Sequence, residues 1–188
     1  EFAYYRGGQT KTVTDALGER HFERDDLGRE RVEHLPSGDQ IRRDYHEDTG
    51  QIANVEYWRD NQKVHEISYD WRADSQLAAV ESAASGRFEY QYKPENPRLL
   101  ASISGPTVKS TYDYEPKRNL ITKVENRVGE RSSSFVYTND ALGRRTEVRQ
   151  TGEHFTNPGW DWNYNQRSEL TEAIPVSDQI ELLSYEFD

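Results

Sequence analysis

The sequence contains no cysteine, which excludes a disulfide framework, a thiolate zinc site, an iron–sulfur cluster and a thiol nucleophile. Methionine is also missing and the chain begins Glu1-Phe2, which predicts a processed or excised piece of something longer. Cations are outnumbered: 24 Lys and Arg against 34 Asp and Glu give a formal charge of −10, so nucleic acid and anionic membrane surfaces are not expected partners. No stretch approaches the roughly 18 apolar residues of a spanning helix, so membrane insertion is not expected. No apolar segment follows a basic start, so any targeting signal is expected outside these residues.

Aliphatic residues are scarce as well. Leu, Ile, Val and Phe make up about 19% of the chain, which with the net charge meets the usual compositional sign of disorder. The 12 Tyr and 4 Trp offset that sign, because their rings bury large apolar area while keeping a polar tip. A folded chain with little dry core is expected.

What the sequence does have is a repeat. Its clearest copies are Phe22-Glu23-Arg24-Asp25-Asp26-Leu27-Gly28-Arg29 and Tyr137-Thr138-Asn139-Asp140-Ala141-Leu142-Gly143-Arg144. Thr14-Asp15-Ala16-Leu17-Gly18 reads as a third, truncated copy. Looser copies run from an aromatic through a polar turn to an aliphatic: Tyr45 to Ile52, Tyr69 to Leu77, Tyr92 to Leu99, Tyr114 to Leu120 and Trp162 to Leu170. Taking Gly28, Gly50, Ser75, Pro97, Arg118, Gly143 and Ser168 as equivalent turn positions gives steps of about 21 to 25 residues. A unit begun at Ser184-Tyr185-Glu186-Phe187-Asp188 is cut short.

Each unit resolves into two alternating arms and two turns, as in Phe88, Tyr90 and Tyr92 on one face of one arm. Asp in the turn folds its side chain onto backbone N–H groups two residues on, and Gly takes the positive φ of a tight hairpin. A second turn precedes most incoming arms at Gly38, Gly86, Gly105, Gly129 and Gly152, and the prolines fall mostly in or beside turns. The helix-like run Leu77 to Ala84 occupies an outgoing arm and reads as strand and turn. The prediction is all-β: one antiparallel hairpin array over residues 1–188, about eight degenerate units, with 152–159 as a loop insertion.

Catalytic chemistry finds little footing. The histidines His21, His34, His46, His65 and His154 lack metal-ligand spacing and read as structural or surface residues. Asp25-Asp26 reads as turn capping rather than a general acid pair, and Ser132-Ser133-Ser134 as a strand edge rather than a nucleophile elbow. Gly7-Gly8 opens no helix to cradle a phosphate, and Glu47-Asp48 lacks the dense acidic loop of a calcium site. No catalytic residue, metal or cofactor is expected. Trp160, Trp162 and Tyr164 alternate on one arm and would project from one face; with Trp58 and Trp71 they pack on neighbouring arms or, beside Asp161, Asn163 and Asn165, form a platform for sugar.

The aromatic-Asp-x-x-Gly-Arg pattern, carried by Phe22, Asp25, Gly28 and Arg29 and by Tyr137, Asp140, Gly143 and Arg144, resembles the Rhs or YD (tyrosine–aspartate) repeat. Tyr45, Gly50, Tyr69, Asp70, Tyr92, Tyr112 and Asp113 carry its degenerate copies, and the resemblance covers nearly the whole chain. It implies a spiralling β-hairpin sheet that wraps into a hollow shell in much larger proteins, among them polymorphic toxins, insecticidal toxin complexes and teneurins. In several of these the shell encloses a toxic C-terminal polypeptide. The chain then resembles an arc of such a shell. The Asp-Pro-x-Gly motif that ends some family shells and performs self-cleavage is absent, so autoproteolysis is not carried over.

These expectations converge on a non-catalytic wall or scaffold segment of a secreted or cell-surface protein. Its partners would be the rest of the parent chain and a polypeptide cargo or glycan, with an edge-strand dimer as a consequence of excision. The alternative is a carbohydrate-binding adhesion module using the Trp160, Trp162 and Tyr164 face. A polysaccharide hydrolase is the least favoured third, since it would need two carboxylates facing across a cleft.

Overall fold

The computed structural model describes residues 1–153 and 155–186. His154 and the last two residues of the unit begun at Ser184 lie outside them. Among the described residues the chain is all β, with strands and turns and no helix. It divides into two compact units, Glu1–Glu89 and Tyr90–Asp188, with the division inside one strand.

The first unit contains β1 (Phe2–Tyr4), β2 (Thr10–Asp15), β3 (Gly18–Arg24), β4 (Glu30–His34), β5 (Gln40–Tyr45), β6 (Ile52–Arg59), β7 (Gln62–Trp71), β8 (Leu77–Ser82) and the start of β9 (Gly86–Lys93). Each strand pairs antiparallel with its neighbour in the chain. The second unit continues with β10 (Asn96–Ser104), β11 (Val108–Tyr114), β12 (Ile121–Val128), β13 (Arg131–Asn139), β14 (Arg145–Thr151), β15 (Gly159–Tyr164), β16 (Leu170–Pro175) and β17 (Leu183–Ser184), paired in the same sequential way. The alanine-rich run at 77–84 forms β8 and its turn. Val80 sits there between Tyr69 and Phe88 on the adjacent strands, and such cross-strand cover outweighs the helical preference of alanine.

One turn geometry recurs. The Asp25 N–H donates to the Arg29 carbonyl at 2.9 Å, and the Gly28 N–H returns to the Asp25 carbonyl at 2.8 Å. This is a three-residue hairpin loop whose last residue is left-handed, closing with a bulge. The same pair of bonds closes 5–9, 35–39, 72–76, 140–144 and 165–169. Pairing slips beside Tyr4, Arg24, Tyr45, Trp71, Tyr114, Asn139 and Tyr164, each the last residue of its strand before a turn, whereas the 35–39 turn joins strands without a slip.

Five of the seven expected turn positions, Gly28, Gly50, Ser75, Gly143 and Ser168, carry positive φ. Arg118 does not: the left-handed residue is Asn119 at φ 57°, because a short amide tolerates that region better than a long side chain. Pro97 does not either. Its ring holds φ negative, and it lies inside β10 beyond a turn at residues 94–95. The truncated copy at Thr14 to Gly18 turns at the opposite margin of the first unit, where Asp15 pairs with Gly18 across a two-residue connection.

Register sorts the side chains onto two faces. In the second unit one face carries the rows Tyr112, Val124, Phe135 and Tyr137, Val148, Trp160, while the other carries Asp113, Lys123, Val136, Arg149. The core is correspondingly thin. Among the described residues Ala79, Val148 and Ala173 are the buried hydrophobics, and no large side chain is completely enclosed. Among the described residues, strands contact their sheet neighbours alone, so the rings are covered from the side by cross-strand partners.

Candidate functional site

The repeat motif builds a bracket at the turns 25–29 and 140–144. Asp25 Oδ1 accepts from the Leu27 N–H at 3.0 Å and the Arg29 N–H at 2.8 Å, and its Oδ2 takes Arg29 Nε at 2.7 Å. Asp140 repeats this with the N–H groups of Leu142 and Arg144, both at 2.9 Å, and Arg144 Nε at 2.7 Å. Asn165 plays the part with an amide: its Oδ1 accepts from Arg167 and Glu169, and its Nδ2 donates to Glu169 Oε2 at 2.6 Å. Burial acts to raise the Asp25 and Asp140 carboxyls, but the paired arginine and the backbone donors prevail and hold both below the ordinary value of 3.8. A carboxylate fixed in its charged form suits a strut, not a proton donor.

At six of the seven register slips, all but that beside Tyr4, the last residue before the turn forms a second device. Its side chain reaches back across the sheet and donates to a backbone carbonyl of the preceding hairpin. Tyr45 Oη donates to Glu30 O at 2.7 Å, Trp71 Nε1 to Ile52 O at 2.7 Å, Tyr114 Oη to Leu100 O at 2.9 Å and Tyr164 Oη to Arg145 O at 2.7 Å. Arg24 does the same to Thr10 O at 3.1 Å, and Asn139 to Ile121 O at 3.4 Å. Thr10, Glu30, Ile52, Ile121 and Arg145 are the residues that pair across the preceding bulge. A bulge interrupts the ladder, and the rung occupies the carbonyl beside it.

Bracket and rung join successive turns. The Arg29 guanidinium lies 4.3 Å from the Tyr45 ring centre and that of Arg144 lies 4.8 Å from Tyr164, so aspartate, arginine and tyrosine run from one repeat into the following one. Gln51 Nε2 donates to Ser75 O, Arg118 Nη1 to Asp140 O, and Arg144 Nη1 to Asn165 O. Within each unit, one margin is thereby bolted turn to turn.

The expected motif residues divide between these roles. Asp25, Gly28, Arg29, Asp140, Gly143 and Arg144 form brackets, Gly50 supplies a left-handed turn and Tyr45 is a rung. Phe22, Tyr69, Tyr112, Tyr137 and Trp162 stand two residues ahead of a rung and share its face, while Tyr92 directly precedes Lys93 at the end of β9. Asp70 and Asp113 cap no turn: each is the penultimate residue of its strand and projects to the opposite face, paired with Arg87 at 2.7 Å and Lys93 at 3.1 Å.

Trp160, Trp162 and Tyr164 do share one face of β15, over the buried Val148 and Ala173. Gly159 permits this approach, since a Cβ there would stand 2.1 Å from Val148 O. All three rings are half-buried. Trp58 and Trp71, in the first unit, lie on opposite faces of the β6–β7 ribbon: Trp58 donates to Glu56 under the Arg42 guanidinium, Trp71 to the Ile52 carbonyl.

Two polar clusters escaped the sequence. Asp39, nearly buried, accepts from Tyr57 Oη and from Arg59 Nη2 at 3.1 Å. Arg59, then Tyr57, hold the Asp39 carboxyl low, and Asp39 in turn pushes the Tyr57 phenol up, so neither exchanges a proton near neutrality. His21 and His34 face each other across β3 and β4 with ring centres 5.7 Å apart, and His34 Nε2 lies 2.6 Å from Glu23 Oε1. Counting outward from the Asp25–Arg29 turn, bulge included, would have paired them. Among the described residues no group of three His, Asp or Glu is placed to hold a metal ion.

No protein-family model matches the chain, and neither does any curated protein. Solved structures do. A crystal structure of TcdB2-TccC3 with Cdc42 matches with a TM-score of 0.65 at 13% identity, over 97% of this chain and 11% of that one. A crystal structure of TcdB2-TccC3 matches at 0.60 and 12% identity, over 96% and 13%. A Tc holotoxin pore of Photorhabdus luminescens, mutated in TccC3, matches at 0.57 and 10% identity, over 93% and 12%. The chain thus spans about a tenth of the length of the chains it matches. At these identities the likeness establishes a common fold, in line with the Rhs-like hairpin array expected from the repeat.

Proposed function

We propose that this chain is a non-catalytic wall segment of a longer Rhs or YD-repeat protein, a secreted or surface one, whose array encloses a polypeptide. The observation that carries this reading is the combination of coverages: almost all of this chain superposes on a short stretch of a far longer toxin chain. Supporting it, the side chains of the repeat motif are spent on joining one turn to the next rather than on lining a cleft. Edge strands that continue into further hairpins of the same parent fit the sequential pairing within each unit.

The test has two arms. Electron microscopy of the longer polypeptide is expected to show a walled particle with this stretch in its wall, and the purified chain is expected to turn over none of a panel of polysaccharide, peptide and phosphoester substrates. Hydrolysis in that panel, or a module standing free of any wall, overturns the reading. Glycan-array binding abolished by Trp162→Ala would replace it with that of an adhesion module.

A further inference from the structure

We propose that His21 and His34 form a two-imidazole chelate for a zinc-class divalent cation on the polar face of the first unit. The two residues are direct cross-strand partners on β3 and β4, so the backbone ladder, not a flexible loop, sets their separation. A tetrahedral zinc ion holds imidazole nitrogens at about 2.0–2.1 Å. Each ring centre lies about 1.1 Å behind its nitrogen, which puts the centres of two zinc-bound rings roughly 5 Å apart. The observed separation is 5.7 Å with the ring planes at 47°, within about 1 Å of that spacing.

Glu23 supplies the supporting contact. Its carboxylate lies 2.6 Å from His34 Nε2 and can only accept there, so the neutral ring that binds a metal would present its lone pair on Nδ1, the carboxylate–histidine arrangement that orients zinc-bound imidazoles. The flanking strands offer neutral partners, Thr12 opposite His21 and Gln40 opposite His34. Arg42, two residues along β5 from Gln40 and on the same face, is committed to Gln40 Oε1 at 2.7 and 3.0 Å and to the Trp58 ring at 3.9 Å. Two nitrogens leave two positions for water, and His34 is open enough to solvent, at 35% exposure, for an ion to enter. Binding at this place would clamp two adjacent strands of the array, a role independent of the wall assignment.

Titration of the full chain with zinc chloride alone, followed by calorimetry and by the imidazole NMR signals, tests this. One saturable site is expected, with the His21 and His34 signals shifting while those of His46 and His65 stay in place. His21→Ala and His34→Ala should each weaken binding at least tenfold, and Glu23→Gln should weaken it by less. The wild-type NMR pattern decides the matter even where a variant folds poorly. Absence of saturation up to about 1 mM zinc, shifts centred on another histidine, or unchanged affinity in a folded His21→Ala chain would each overturn the site.

Discussion

Asp25 and Arg29 do not act alone: the arginine that closes one turn also covers the tyrosine that opens the next. Tyr45 is the member of this chain whose removal is most informative. Tyr45→Phe keeps the ring under Arg29 and deletes only the Oη donor to Glu30 O, leaving a carbonyl beside the bulge without that partner. A loss of about 1 kcal/mol is expected in chemical denaturation. An unchanged midpoint would mean that the carbonyl is equally well served by water. The Asp and Gly roles in the motif were legible from the sequence because they are local: an Asp–N–H contact spans two to four residues. The rung was not. In the two clearest copies its position holds Arg24 and Asn139, so aligning by aromatic residues selected Phe22 and Tyr137, two places too early.

The brackets also set a pH dependence. Asp25 and Asp140 have folded carboxyls below the unfolded value of 3.8, so the folded state binds fewer protons there than the unfolded state. Their contribution is complete above that value and is lost as pH falls through the lower, folded pKa. Acid titration followed by circular dichroism should therefore show stability falling below about pH 4, and the Asp25→Asn, Asp140→Asn double variant should start lower and fall less steeply. A parallel decline in wild type and variant would assign the acid sensitivity to other carboxylates.

At the scale of the element, the turn fixes the register and the register fixes the faces. A hairpin that lost its bulge would shift one strand by a residue and carry its rings to the charged side. Gly143 is where this is most exposed to test. Its φ is 82°, and an added Cβ would meet only Leu120 Cδ1 at 3.5 Å, so the cost of Gly143→Ala is conformational rather than steric. We expect a loss of about 1–2 kcal/mol by thermal or chemical unfolding, with amide exchange fastest in β13 and β14. A neutral result would show that the turn relaxes to another type without disturbing the pairing. Strand and turn existence could be read from alternation and from Gly and Asp, but turn position could not always be. Pro97 looked equivalent by spacing, yet a residue that cannot adopt positive φ is barred from the left-handed place, and the chain turned at 94–95 instead.

At the scale of the whole chain, the scarcity of aliphatic residues and the sequential pairing are one fact seen twice. Within each unit, a described strand that meets only its sheet neighbours has no opposing layer, so its rings are covered edgewise and large side chains stay partly wet. Composition alone conveyed that thinness. It did not convey the polar substitute: ion pairs on the charged face within each unit, such as Arg87 with Asp70 in the first and Arg149 with Asp161 in the second, arise between strands whose register no single residue reveals. Calorimetry reads the consequence directly. Heat capacity rises on unfolding with apolar area exposed and falls with polar area exposed, and ordinary domains average about 12–15 cal/mol/K per residue. A typical chain of 188 residues would thus give about 2.3–2.8 kcal/mol/K. With three buried hydrophobic residues among those described, and backbone amides and charged groups making up much of what unfolding exposes, this chain should fall clearly below that interval. A measured value inside the interval would demand a second apolar layer, and with it a tertiary arrangement other than hairpins joined edge to edge.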